Sequence, residues 1–361
     1  MTDRPRFDRS RVKHFPLCER QNRVHITTEL IEGRDDVAPL DPGIDARVAT
    51  IAREVERARK LGASIIFAFG AHTIKNGMGP LLGQLARNGW ITHLATNGAG
   101  IIHDWEFAFQ GSSSEDVRQN LESGRFGLWE ETGFTINLAL AIGAFNGLGY
   151  GESIGSLIAT GGLLVPDKEL LASVLVEADP ALCSPSQLWR RAAAADLLAL
   201  INTLGLRSGF HSIRHEFAAY SLQAIAYEAG VSFTGHPMFG HDIIYTHQAS
   251  MGSAIGRTAE RDFLSFVDSV AKLEGGVYVS IGSAVMSPMI FEKSLSMCRN
   301  IALQHGPAPS NHHLYVVDLA SAPWDWRRDG EPPVDHPAYY LRFLKTFHRM
   351  GGATTYLSLD N

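Results

Sequence analysis

The feature that most constrains this chain is a series of short apolar runs spaced by longer stretches of helical period. The runs are "ASIIFAF" (63–69), "ITHLAT" (91–96), "VSFTG" (231–235), "GGVYVSIGSA" (275–284), "HLYVVDLA" (313–320) and "TTYLSL" (354–359). The first lies between glycines and reads as a buried parallel strand, apolar on both faces. Between the runs, the spacing predicts helices over 44–60, 78–88, 128–145, 186–204, 215–229, 261–273, 288–304 and 338–349. Strands alternating with helices imply an α/β fold, a mostly parallel Rossmann-like sheet with helices on both faces. The simplest division is a single domain over 41–361, preceded by an N-terminal extension or arm over 1–40. The first 25 residues carry Arg4, Arg6, Arg9, Arg11, Lys13, Arg20 and Arg23. They suit either a solvated tail or an arm docked on a neighbouring subunit.

Composition narrows the function. The 361 residues are 45% hydrophobic and 19% charged with a formal net charge of -6, so a sizeable core is affordable and no general affinity for nucleic acid or anionic membranes is expected. Cys18, Cys183 and Cys298 are too few and scattered for a disulfide framework or a cysteine zinc site, and read as free thiols. The N-terminus lacks the apolar core of a signal peptide, and "INLALAIGAF" (136–145) is too short to span a bilayer. A cytoplasmic protein is the expectation.

In such sheets ligands bind beyond the carboxyl ends of the strands. Those ends carry "FAFGAHTIKNGMG" (67–79), "LATNGAGIIHD" (94–104), "SIGSAVMSP" (280–288) and "VVDLASAPWDW" (316–326). Small residues let backbone N–H groups approach a phosphate, so a nucleotide is a sensible ligand, although ordinary strand-to-helix turns explain the glycines equally well. "GAGIIH" starts like a dinucleotide fingerprint but has His103 at the third glycine position. "GHPMFGHDIIYTH" holds His236, His241, Asp242 and His247; spacings of five and six do not align histidines on one helical face, and no HExxH occurs, so a polar pocket is expected rather than a metal. Glu130 and Glu131 read as a solvated helix start. Trp324 and Trp326 suit either core or a pocket wall. No GxSxG elbow supports a serine hydrolase.

The order of these motifs resembles the deoxyhypusine synthase family over roughly residues 65–345, most strongly in "IIFAFGAHTIKNGMGPLLGQLARNGWITHLATNGAGIIHD". The resemblance implies NAD as cofactor, a small amine or polyamine substrate, and a homotetramer. It implies cofactor contacts from His72, Lys75 and Asn76, from Asn97, Gly98, Ala99 and Gly100, from Gly282, Ser283 and Ala284, and from Leu319, Ala320 and Ser321. Gly98 and Gly100 would bring the backbone near the nicotinamide half, His103 would join the same pocket as a catalytic residue, and Asp242 would hold an amine. Lys345, eight residues beyond Pro337, would carry a covalent imine, against the alternative of a surface lysine. Asp104, His241, His247, Glu292, Trp324 and Trp326 would line the substrate pocket, with capping and dipole compensation the other reading of Asp104 and Glu106. The chain departs from the family pattern at Ser287, Pro288, Met289, Glu292, Phe343, Tyr339 and Pro237, so the cofactor scaffold matches better than the polyamine pocket. A nucleotide-binding protein without catalysis is the alternative from another class.

Overall fold

The computed structural model describes residues 7–31, 33, 41–176, 183–307, 309–320 and 324–359, without the side chains of Arg327 and residues 342–345. Six strands, β1 (Ile65–Phe69), β2 (His93–Asn97), β3 (Ser232–His236), β4 (Val277–Ile281), β5 (His313–Asp318) and β6 (Ala353–Ser358), form one sheet. Every pairing within it is parallel, and the order is β3-β2-β1-β4-β5-β6. This is the doubly wound order, in which the chain leaves β1 in one direction and returns to β4 in the other. The α/β expectation therefore holds, down to all six strands.

Strand alternation assigns the two faces. Ile66, Ala68, Tyr278, Leu314 and Val316 pack with Phe266, Phe291 and Phe347 from the helices Gly252–Ala271, Met286–His305 and Arg342–Arg349. Ile65, Val277, Val279 and Tyr315 pack against Ala58 on the Pro42–Leu61 helix. Parallel strands covered on both sides read as continuous apolar runs, which is why the sequence showed them clearly.

The long connection from β2 to β3 is a helical insertion. Its central helix, Glu130–Asn146, has 13 of its 17 residues buried and so lacks an amphipathic period. The helices Gly98–Gln110 and Tyr150–Thr160 pack beside it. The expected 215–229 helix begins only at Leu222, where Ser221 caps it through the Ala224 N–H. The expected 261–273 helix begins earlier, at Gly252. Tyr339 lies in a 3-10 turn, Pro337–Tyr340, rather than in the Arg342–Arg349 helix.

Residues 7–25 of the N-terminal segment pack on their own chain. Arg9 donates to the Tyr245 and Ser250 carbonyls, at 2.9 and 2.6 Å. Phe15 exchanges backbone hydrogen bonds with Leu128 and Glu130, both 2.9 Å. Leu17 is fully buried, and Val24–His25 pairs antiparallel with Ser112–Ser113. Further on, a Cβ on Gly77 would lie 1.9 Å from the Glu29 carbonyl oxygen, so only glycine lets the strap pass over the loop after β1. No helix among the described residues is long and apolar enough to cross a membrane.

Candidate functional site

The strand order reverses between β1 and β4, and their carboxyl-end turns meet there. The Gly70 N–H donates to the Ile281 carbonyl at 3.0 Å, and a Cβ on Gly70 would fall 2.2 Å from the Gly282 carbonyl oxygen. Gly282 has φ +54° and its N–H donates to the Val317 carbonyl at 2.9 Å. Ser283 is buried and its hydroxyl accepts from the Ser287 N–H at 3.1 Å, fixing the start of the next helix; Ala284 is exposed above it. Bare or small residues thus stand at the switch point, where open α/β sheets take ligands.

The β2 turn contributes differently from the expectation of a cofactor cradle. Asn97 caps the Gly98–Gln110 helix, its Oδ1 accepting from the Gly100 N–H at 2.9 Å. A Cβ on Gly100 would meet Thr96 Oγ1 at 2.2 Å, and one on Gly98 would meet Asp242 Oδ2 at 2.2 Å. Gly100 is required for packing the helix on its strand, and Gly98 for admitting the Asp242 carboxylate. One turn later, His103 contacts Ser113 Oγ through Nδ1 at 2.6 Å. Ser113 has one hydroxyl proton and donates it to Glu106 Oε2 at 2.5 Å. His103 Nδ1 must therefore be the donor, which leaves Nε2 as the acceptor. Burial lowers the His103 pKa to about 4, with the nearby positive charges of Lys75, Arg20 and His72 contributing, so the ring is neutral. His72, exposed, also has its pKa lowered, by partial burial and by Lys75. His72, Lys75 and His103 thus lie close together at the ends of β1 and β2.

Asp242, in the loop after β3, sets its carboxylate against Gly98 at the start of the same Gly98–Gln110 helix. Tyr245 donates to its Oδ2 at 3.2 Å, and burial pushes the carboxyl up to about 6. The group is ionised at neutral pH, yet no Lys or Arg among the described residues pairs with it. Beside it, the Tyr150 hydroxyl is fully buried without a hydrogen-bond partner among the described residues. Burial, together with the charges of Asp242, Tyr245 and Asp262, raises its pKa. Tyr150 and Tyr245 were not legible as site residues; Gly235, where a Cβ would lie 2.7 Å from the Tyr150 ring, was the one trace of that contact.

Several expected pocket residues lie elsewhere. Asp104 is 1% exposed and accepts from Ser221 Oγ, the Leu222 and Gln223 N–H groups and Gln223 Nε2, so it holds the start of the Leu222–Ala229 helix instead of lining a pocket mouth. Glu106 is fully buried in a bidentate pair with Arg20, at 2.8 and 2.7 Å. His247 turns to His14 and Glu130 rather than to Asp242, and His241 is exposed. Glu292 pairs with Lys293 on the outer groove between the Met286–His305 and Arg342–Arg349 helices. Trp326 is core, packed with Phe347 and Met350, and Trp324 donates to the Gly330 carbonyl at 2.9 Å. Leu319 is 69% exposed, and the Ala320 N–H donates to Asp318 at 3.0 Å. Ser321 and the Lys345 side chain lie outside the described residues. His236 is bound at 2.9 Å to Thr234 Oγ1, which also contacts His93, and both rings are neutral because burial lowers their pKa values to about 3.

A cavity of about 480 Å³ lies at the amino end of β3, away from the switch point. Its buried carboxyl, Asp262, accepts from the Gly151 and Gly235 N–H groups at 2.8 and 2.6 Å.

No protein-family model and no curated protein sequence matches the chain. Among solved structures it is similar to AgrE in ternary complex with ornithine and NAD+, at 14% identity and TM-score 0.41, covering 80% of this chain and 30% of that one. It is similar to a conserved LOR/SDH protein of Methanococcus maripaludis S2, at 13% identity and TM-score 0.42, covering 91% and 69%. A third is a deoxyhypusine synthase from Entamoeba histolytica, at 12% identity and TM-score 0.34, covering 82% and 71%. The chain thus spans under a third of AgrE's length. The parallel register and strand order carry the fold assignment by themselves.

Proposed function

We propose that the crevice between β1 and β4 binds NAD and that the protein acts on a primary amine. The observation that carries this reading is Asp242: a half-buried carboxylate with no cationic partner among the described residues, beside the orphaned Tyr150 hydroxyl, at the carboxyl end of the sheet. An ammonium group would supply the missing charge-assisted hydrogen bond. Gly70, Gly282 and Ala284 stand at the switch point where a dinucleotide would lie, and the end of β2 offers Asn97, already used as a cap, where an acid would meet a ribose.

The deoxyhypusine synthase resemblance suggests the reaction: transfer of an aminoalkyl group from a polyamine-like donor to an amine acceptor, within a homotetramer. Bound NAD would accept a hydride from the carbon beside the amine. Asp242 would bind and orient the ammonium and His103 Nε2 would accept a substrate N–H; Lys345 would displace the departing amine and hold the fragment as its own imine, the acceptor amine would displace Lys345 in turn, and return of the hydride would reduce the product imine to an amine. The test is incubation with NAD and a panel of diamines and polyamines, followed by product mass spectrometry and borohydride trapping. A transferred aminoalkyl product, trapped on Lys345 and abolished by Lys345→Arg, supports the reading. Turnover unaffected by Lys345→Arg removes the covalent step, and the absence of any product with any amine removes the transferase.

A further inference from the structure

Where the N-terminal strap crosses the start of the Glu130–Asn146 helix, His14, Glu130 and His247 converge. One ligand atom from each lies within 4.8 Å of the others, and among the described residues this is the one group of three potential metal donors so arranged. Both His14 Nε2 and His247 Nε2 are buried and lack a hydrogen-bond partner among the described residues. His247 Nε2 stands 3.3 Å from Glu130 Oε2, within ion-pair distance. That separation matches the edge of a tetrahedron whose metal–ligand bonds are about 2.0–2.1 Å, roughly 3.4 Å.

We propose that His14, Glu130 and His247 bind a divalent transition cation of the zinc type, with a fourth position open to water. Two imidazoles and one carboxylate suit such a borderline ion better than magnesium or calcium, which prefer all-oxygen sites. Each donor has local support. Val12 backbone hydrogen-bonds the His14 ring, leaving Nε2 to face inward. His14 is held in place by its neighbour Phe15, bonded to Leu128 and Glu130. His247 lies against Gly133, where a Cβ would come within 2.8 Å of the His247 Cβ, so the helix carries glycine at the point of closest approach. Glu130 is half-exposed, so its carboxylate has room to adjust.

Two features oppose binding and set its strength. The Ala249 N–H donates to His247 Nδ1 at 3.1 Å, which places the ring proton on Nε2; ligation needs the other tautomer and gives up that hydrogen bond. The guanidinium of Arg9, bonded to the Tyr245 and Ser250 carbonyls, adds positive charge near His247, which Glu130 offsets. The ion would join the strap to the helical insertion, so the site is a clip and its test is independent of catalysis.

The experiment is calorimetric titration of the metal-stripped full chain with zinc chloride, repeated with cobalt chloride to read visible absorption. One equivalent of zinc should bind, with tetrahedral cobalt bands and slower tryptic cleavage of the strap. His14→Ala and Glu130→Gln, both at accessible positions, should each weaken binding by at least the about 10–100-fold that loss of an outer-shell partner costs. His313→Ala, at a histidine on β5 that belongs to no such group, should leave affinity unchanged. No stoichiometric binding, binding equally retained in His14→Ala and Glu130→Gln, or octahedral cobalt spectra would each overturn the proposal.

Discussion

Replacing Glu106 by Gln tests how the strap is fastened. The Arg20 guanidinium and Glu106 carboxylate face each other with side-chain exposures of 2% and 1%, and Ser113 and Thr132 donate to the same carboxylate. The amide offers one acceptor oxygen for four donors and turns its own N–H groups toward Arg20. The arginine is left as a buried charge without a counterion, which costs about 3–5 kcal/mol. If the strap opens locally, global unfolding registers only part of this, and the rest appears as exposure of the segment. Urea denaturation and timed trypsin digestion, which cuts at Arg11, Lys13, Arg20 and Arg23, measure the two parts. The variant should show a lowered urea midpoint, much faster cleavage in this segment, or both. Adding Arg20→Met should recover a good part of the loss, because no charge then stays buried. Burial opposes ionisation of Glu106, but Arg20 outweighs it and holds the carboxyl below its ordinary range. The stabilisation is therefore present above the unfolded-state pKa and is lost as pH falls through the folded value, a dependence Glu106→Gln should lack. An unchanged midpoint together with unchanged digestion would refute the reasoning.

Four further outcomes follow from the same geometry. Burial pushes Asp262 from 3.8 up to about 8, so the folded state holds its proton more tightly than the unfolded chain and stability should fall as pH rises across that window; Asp262→Asn keeps an acceptor for Gly151 and Gly235 and should flatten the slope in urea midpoints measured against pH. Asp242→Asn should weaken amine binding at least tenfold in calorimetry and leave NAD binding nearly intact, whereas equal loss of both would make Asp242 structural. Gly98→Ala, whose Cβ meets the Asp242 carboxylate, should copy that amine defect, while Gly100→Ala, which meets Thr96, should cost about 1–3 kcal/mol of stability by overpacking in denaturant titration.

The sheet was readable because buried parallel strands are apolar without interruption, as in "IIFAF" and "VYVSI". The central helix was read from the same apolar density, but Tyr150–Thr160, with its own glycine-rich start, escaped notice. Site residues were harder. Gly98 and Gly100 announced close approach, yet a glycine does not say what approaches it: here a carboxylate and a threonine of the same chain. Asp104 and Glu106 stood out as acids near a turn, but their partners, Ser221 and Arg20, lie 117 and 86 residues away. The histidine segment 236–247 looked like one pocket because its members are close in sequence; the fold divides it between Thr234, solvent, and the His14–Glu130 cluster.

The most direct test of the account is calorimetric titration of NAD into the full chain and into Ala284→Trp. Ala284 is exposed above the Gly70–Gly282 contact, so an indole there fills the crevice without disturbing the core. The account predicts saturable binding of one NAD per chain in the wild type and its loss in a normally folded Ala284→Trp. Equal binding by both proteins would place the cofactor elsewhere, and no binding by the wild type would contradict the central claim.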